Sequence, residues 1–314
     1  MKTRPLGRSG LRVSEVGLGC NNFGGRIGLE ETRAVVHAAL DQGITLFDTA
    51  DVYGNRGGSE TLLGQVLGAR RKDIVLATKF GNPMDEAKGL KGGARRYIIT
   101  AVEASLQRLR TDWIDLYQLH RPDPGTPIEE TLRALDDLVR AGKIRYIGAS
   151  NLAAWQLVEA DWTARAANLT RFISHQDGYS LLNREIEKDL LPAAQQYGIG
   201  LLPYFPLANG LLTGKYKRGA PLPEGTRLAG ESGRAGRLLT ETNWAKVEQL
   251  ESFAARHGHS LLELAFAWLL AKGAASVIAG ATRPEQVQAN ASATAWVLDQ
   301  AALAEIDLVL TQAA

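Results

Sequence analysis

Eight short apolar runs recur between residues 16 and 280, most of them followed by a segment of helical periodicity, and this alternation narrows the possible folds more than any single motif. The runs are VGLG (16–19), ITLFD (44–48), DIVLATK (73–79), IDLYQLH (114–120), IRYIGAS (144–150), FISHQ (172–176), IGLLPY (199–204) and ASVIAG (275–280). Between them lie amphipathic stretches such as LEETRAVVHAALDQG and IEETLRALDDLVRAG, several ending at a glycine (Gly43, Gly142, Gly198) suited to a left-handed helix cap. No Pro/Ser-rich linker or charge block interrupts the series. It therefore predicts one domain over residues 1–314 with a parallel sheet, and eight strand-helix units predict a (β/α)8 TIM barrel. Ahead of the first unit, TRPLGRSGLRVS reads as an N-terminal β-hairpin turning around Gly7 to Gly10 and covering the far end of the barrel. After the seventh strand, Phe205 to Leu239 is rich in Gly, Pro and Arg and lacks periodicity, which predicts a long functional loop.

Bulk properties exclude several classes of function. The net charge of +2 comes from scattered Lys and Arg, so no nucleic-acid footprint is present. The longest apolar stretch, LLELAFAWLLAKG, contains Glu263 and Lys272 and is too short to span a bilayer. Residues 1–10 lack the apolar segment of a secretory signal, and the lone Cys20 cannot form an internal disulfide. A cytoplasmic enzyme without membrane partners is the expectation. His37, His120, His175, His257 and His259 do not form a compact ligand set by spacing, so no metal is expected. Trp113, Trp155, Trp162, Trp244 and Trp268 read as core or partly buried faces rather than substrate contacts.

In a barrel of this kind, active-site groups gather at the carboxyl ends of the strands. The second run ends at Asp48 with Tyr53 five residues on, the third at Lys79, the fourth at His120. A free phenol, with pKa about 10, is a weak acid at neutral pH. A lysine ammonium beside Tyr53 would favour the phenolate and lower that pKa, and Asp48 against Lys79 would keep the ammonium charged despite burial. His120 would donate a hydrogen bond to an incoming carbonyl oxygen or relay the proton. Each residue alone has a plainer reading: Asp48 as a turn former, Lys79 as a snorkelling surface residue, His120 as structural. On three consecutive strands of one barrel, an acid, an amine and an imidazole aimed at one mouth point to proton-transfer chemistry.

These residues sit in FDTADVYG with the following GGSETLLG, VLATKFG and DLYQLHRPDP. Together with IRYIGASN, the Gln176 region, YFPLANGLLTGKY and VIAGATRPEQVQAN, they make the chain resemble the aldo-keto reductase superfamily over nearly its whole length, including its potassium-channel β-subunit-like branch. The resemblance implies a (β/α)8 barrel that transfers hydride between a nicotinamide cofactor and aldehydes or ketones, with Asp48, Tyr53, Lys79 and His120 as catalytic residues. It implies that Tyr204 stacks beneath the nicotinamide while Ser150, Asn151 and Gln176 hold its carboxamide, an amide needing both donors and acceptors. Ser150 and Asn151 could otherwise cap the next helix. Pro206, Leu207, Lys215, Arg227, Gly280, Thr282, Arg283, Gln286 and Asn290 fall at the cofactor positions of the long loop and the phosphate end, where a helix starting near Pro284 offers free amides.

The chain departs from one common pattern of the family, which places lysine where Gly280 stands and arginine where Gln286 stands. Arg283, Lys215 or Arg227 could supply the missing charge, so NADP(H) is the expected cofactor, with NAD(H) possible. GLGCNNFGG begins like a dinucleotide fingerprint but has Asn22 at the third glycine position, and is read as the first strand-to-helix loop. In this family that loop borders the substrate, so Asn22 and Phe23 are candidate pocket residues. The expected activity is reduction of a small aldehyde, ketone or sugar. The alternatives are an NAD-dependent sugar or polyol dehydrogenase of the same fold and a cofactor-sensing regulatory subunit with little turnover.

Overall fold

In the computed structural model, residues 1–230 and 232–312 are described; Glu231, in the segment after the seventh barrel strand, lies outside them, as do residues 313–314. Two short strands, β1 (Thr3–Pro5) and β2 (Arg12–Ser14), form the antiparallel hairpin. The barrel strands are β3 (Val16–Gly19), β4 (Leu46–Asp48), β5 (Val75–Phe80), β6 (Ile114–Leu119), β7 (Ile144–Ser150), β8 (Phe172–Gly178), β9 (Gly200–Tyr204) and β10 (Val277–Gly280). They pair in parallel in the order β10-β3-β4-β5-β6-β7-β8-β9. The seam between β9 and β10 is drawn together by a Leu201–Ala274 bridge and by Ala275 N donating to Leu201 O at 2.9 Å. This is a (β/α)8 barrel, and each apolar run of the sequence contributes one strand to it.

The helices are α1 (Leu29–Asp41), α2 (Tyr53–Leu67), α3 (Arg95–Leu109), α4 (Ile128–Arg140), α5 (Ala154–Ala166), α6 (Leu190–Tyr197), α7 (Ser232–Leu238), α8 (Glu241–Arg256), α9 (Leu261–Ala271), α10 (Pro284–Ser292) and α11 (Gln300–Gln312). Gly43, Gly142 and Gly198 have φ of 74°, 73° and 67°, the left-handed geometry that stops α1, α4 and α6. One pattern expected to run through residues 185–198 breaks into a 3-10 turn (Glu185–Glu187) and α6. Pro192 is the reason: its missing N–H is harmless in a first turn, whereas deeper in a helix its ring would strike the preceding turn. The 205–239 segment is more ordered than its composition suggests, folding into a 3-10 turn (Ala208–Thr213) and α7.

Side chains divide by face. Outward-facing strand residues pack with the helices in the main core, and a second apolar cluster fills the barrel floor: Leu46, Ala77, Leu116, Leu202, Ala275 and Ile278, joined by Leu6 and Val13 from the hairpin. Gly7 lets the hairpin sit that close, because a Cβ there would lie 2.4 Å from Ile173 O and 2.7 Å from Gly198 O. The floor is thus apolar and plugged, and the opposite end carries the polar groups. Trp268 and Trp244 are buried as expected, but Trp155 and Trp162 on α5 are 65% and 57% exposed, which corrects their reading as covered faces.

Candidate active site

Asp48, the last residue of β4, and Lys79, near the end of β5, point into the upper barrel, where both are buried. Lys79 Nζ donates to Asp48 Oδ2 at 2.7 Å, to Thr49 O at 2.9 Å and to Tyr53 OH at 3.5 Å. An ammonium has three protons, and all three are directed. Burial alone would lower the lysine, but Asp48 and the phenol outweigh it and the net shift is upward, which holds the ammonium charged. Asp48 Oδ1 in turn accepts from Gln176 Nε2 at 2.9 Å and Gln118 Nε2 at 3.2 Å. The carboxylate is therefore fixed from two further strands, β6 and β8.

The segment between Asp48 and Tyr53 is stitched to its surroundings. Thr49 N donates to Ala77 O, Asp51 N to Lys79 O, and Thr49 Oγ1 meets Ser59 Oγ at 2.8 Å. Beyond Tyr53 the backbone takes a left-handed turn: Gly54, Asn55, Arg56 and Gly57 have φ of 63°, 59°, 67° and 114°. For Asn55 and Arg56 that geometry costs about 1–2 kcal/mol each. Gly54 must be glycine here, since a Cβ would lie 2.3 Å from Phe23 O. Regular helix then resumes toward Leu67, close to where the apolar pattern of the sequence begins.

The phenol does not follow the sequence-based electrostatic expectation. Burial pushes the Tyr53 hydroxyl above its usual pKa, and the opposing effect of Lys79 is the smaller one. Tyr53 is accordingly held protonated, with a cation beside it that stabilises the phenolate only once it forms. His120, just past β6, meets the Tyr53 ring edge-on at 5.7 Å between centroids. Its Nδ1 lies 3.1 Å from Asn82 Nδ2, so with that amide donating the ring proton sits on Nε2. Burial, then the charges of Lys79 and Arg121, push the imidazole down to about 2, which keeps it a neutral donor.

Beside these residues runs a row of amides and hydroxyls at the ends of β7, β8 and β9. Ser150 Oγ donates to Gln176 O at 2.9 Å; Asn151 Nδ2 donates to His120 O and Ser150 Oγ, both at 2.9 Å; Tyr204 OH donates to Asn151 Oδ1 at 2.8 Å. Asn151 has φ 60°, a conformation asparagine tolerates. The cap of α5 is instead Ala153, so Ser150 and Asn151 are not spent as helix caps. Tyr204 is half-buried, with Phe205 against it edge-on at 5.1 Å. Pro206 is buried and Leu207 packs on the core below them.

At the other side of the mouth, β10 ends at the exposed Gly280 and α10 begins at Pro284, with Arg283 as its N-terminal cap residue. Gln286 Oε1 accepts from both Thr282 N (2.8 Å) and Thr282 Oγ1 (3.2 Å), and Asn290 is buried one turn on. Arg283 is exposed and reaches Glu285 only at 3.9 Å. From the long loop, Lys215 Nζ lies 5.1 Å above the Tyr216 ring, and Arg227 Nη2 donates to Asn22 Oδ1 at 3.0 Å.

Two expected pocket residues face elsewhere. Phe23 is wholly buried in the main core, and Asn22 is buried with Nδ2 on Ala281 O and Oδ1 on Arg227. Their positions correct the pocket reading: the loop after β3 turns these side chains inward and uses Asn22 as a bridge to the β10 end and the long loop. Conversely, Gln118 and Asn82 were not singled out from the sequence. For Gln118 a signal existed, because the period of two in IDLYQLH places it on the same face as Leu116 and His120.

The profile of the Aldo/keto reductase family matches residues 15–311. The chain is 39% identical over 303 residues to the probable voltage-gated potassium channel subunit beta of Arabidopsis thaliana, covering 93% of this chain and 91% of that protein. It is 36% identical over 310 residues to the L-glyceraldehyde 3-phosphate reductase of Escherichia coli O157:H7, covering 93% and 87%. It is 37% identical over 306 residues to the uncharacterized oxidoreductase YrpG of Bacillus subtilis (strain 168), covering 94% and 91%. With the barrel and nearly the full length accounted for, the chain belongs to the aldo/keto reductase family.

Proposed function

We propose that the protein reduces small aldehydes or ketones to alcohols with NADP(H), Tyr53 acting as general acid. The family is one of oxidoreductases that use nicotinamide cofactors on small carbonyl compounds. The observation that carries the finer reading is Lys79 Nζ held between Asp48 Oδ2 at 2.7 Å and Tyr53 OH at 3.5 Å. When bound, the reduced nicotinamide supplies a hydride to the carbonyl carbon. Its ring suits the flat, half-buried Tyr204, and its carboxamide suits the mixed donors and acceptors of Ser150, Asn151 and Gln176.

The protein's part is then proton delivery and charge control. His120 Nε2–H donates to the carbonyl oxygen and orients it. As negative charge develops there, Tyr53 gives up its proton, because an alkoxide is a far stronger base than a phenolate. Lys79 stabilises that phenolate, an interaction stronger in the transition state than before it, which is the kind that accelerates a reaction. Asp48, clamped by Gln118 and Gln176, keeps the ammonium aimed. In the oxidative direction the phenolate is the base.

NADP(H) is preferred on the strength of Arg283, exposed and loosely engaged at the start of α10, with Lys215 and Arg227 on the facing loop. The relative named as a glyceraldehyde phosphate reductase favours a small aldehyde as substrate. The test is Tyr53→Phe: consumption of NADPH with a panel of aldehydes, ketones and sugars should fall by about 10²–10⁴-fold, while cofactor affinity read by fluorescence quenching changes little. Unchanged turnover would overturn the assignment.

A second reading follows from the relatives named as potassium channel β subunits: a cofactor-sensing subunit. Tight NADPH binding with negligible turnover across the whole panel would favour it. Running NADH and alcohol oxidation alongside separates the sugar or polyol dehydrogenase.

A further inference from the structure

Arg121 follows His120 directly, where β6 has ended and the chain turns over the mouth. Its side chain is exposed, and among the described residues no hydrogen bond, ion pair or ring contact engages it. Several other arginines of this chain are matched, Arg108 with Glu60, Arg71 and Arg145 with Asp115, and Arg165 and Arg171 with Asp161. The nearest acid in sequence, Asp123, is already committed. Its Oδ2 accepts from Gly93 N and Thr126 Oγ1, and its Oδ1 from Gly125 N.

Those bonds pin the loop two residues from Arg121, and Pro122 restricts the link between them. The guanidinium is thus anchored at its base and unmatched at its tip. Its position next to His120 in the chain places it at the mouth; behind burial and Lys79 its charge helps lower the His120 imidazole, and behind burial and Asp177 it opposes the rise of the Tyr204 phenol. Inside the mouth the charges of Lys79 and Asp48 offset each other, so they do not cancel this entrance cation. Asp177, the acid that Tyr204 also feels, is half-buried, accepts from Gly178 N, and forms no ion pair with Arg121. A guanidinium presents a planar fork suited to bidentate contact with carboxylate or phosphate oxygens.

We propose that Arg121 selects carbonyl substrates carrying an oxyanion, a carboxylate or a phosphate monoester, a few bonds from the carbonyl, gripping that group while His120 and Tyr53 address the carbonyl oxygen. The proposal rests on the carbonyl-reductase reading of the same site and adds a substrate class to it.

The experiment compares matched pairs: butanal with succinic semialdehyde for the carboxylate, and glycolaldehyde with glycolaldehyde phosphate for the phosphate. The wild type should favour the anionic member of at least one pair by about 10- to 100-fold in kcat/KM, mainly through KM, and the preference should shrink with added salt. Whichever pair shows the larger ratio identifies the oxyanion. Arg121→Gln should collapse that ratio toward one and Arg121→Lys retain part of it. A wild-type ratio near one in both pairs, or an equal loss on neutral and anionic members in Arg121→Gln, overturns the proposal while leaving the reductase reading standing. Should no carbonyl be turned over, the reductase reading fails and calorimetry decides the rest. Binding of 4-hydroxybutyrate or 2-hydroxyethyl phosphate, absent for butanol and ethylene glycol and lost in Arg121→Gln, supports the anion site; no such binding sinks it.

Discussion

Lys79 and Asp48 form a buried pair in which each charge is tolerable only because of the other. Removing one member leaves an uncompensated charge out of water, which typically costs about 3–5 kcal/mol. Lys79→Met is therefore expected to lower the unfolding free energy, read by urea titration, by an amount in that range. Adding Asp48→Asn should recover much of the stability without recovering turnover, and the gap between the two recoveries separates folding from chemistry. Asp51, three residues along, behaves differently. Burial, then Glu60, raises its carboxyl to about 7; Tyr97 donates to Oδ2, and Oδ1 has no protein partner among the described residues. Between about pH 4 and 7 the folded protein holds a proton that the unfolded chain has released, so stability falls as pH rises through that window, by about 4 kcal/mol in all. Asp51→Asn removes this dependence. Its melting temperature relative to the wild type should climb from pH 5 to pH 8, and a constant difference would contradict the reasoning. At this scale the sequence was informative where strand ends mark the mouth: Asp48, Tyr53, Lys79 and His120 do come together. The direction of the Tyr53 shift was not legible, because burial depends on everything packed around the ring.

At the scale of elements, α2 leans on α3 through Gly64, where a Cβ would lie 2.3 Å from Arg108 O and 2.7 Å from the Leu109 carbonyl carbon. Alanine ordinarily strengthens a helix interior by about 1 kcal/mol over glycine. Here the clash is with backbone, which cannot swing aside, so Gly64→Ala should destabilise by about 1–3 kcal/mol, with an unchanged m-value in urea. Nearby, Glu60 is fully buried, accepting from Thr78 Oγ1 at 2.5 Å and from Arg108 at 2.7 Å, and so ties α2 to β5 and α3. The eight strands were readable because buried parallel strands are short apolar runs bounded by turn residues. The left-handed turn at 54–57 was not readable, since Asn55 and Arg56 carry no local preference strong enough to announce it. Phe23 and Gly24, in the loop after β3, lie directly against Gly54 and Gly58.

For the whole molecule, the hairpin matters as much as the barrel it closes. Leu6 is fully buried among floor residues from β4, β5, β6 and β9. Leu6→Ala should cost about 2–5 kcal/mol, visible as a lower melting temperature, with kcat/KM on any accepted carbonyl nearly unchanged because the mouth lies at the opposite end. Equal losses in both measurements would mean that the two ends are mechanically coupled. Arg4 adds to the seal by reaching Glu15 at 2.8 Å and Leu270 O at 2.8 Å, fastening the hairpin near the seam between β9 and β10. The end of the barrel opposite Lys79 is stopped by the apolar side chains of Leu6, Val13, Leu46, Leu116 and Leu202. Under the proposed chemistry a spent phenolate must then be recharged through the same doorway by which the alcohol leaves. Departure of product and return of the proton become successive events at one threshold, and a solvent isotope effect could surface in a cycle whose hydride step shows none.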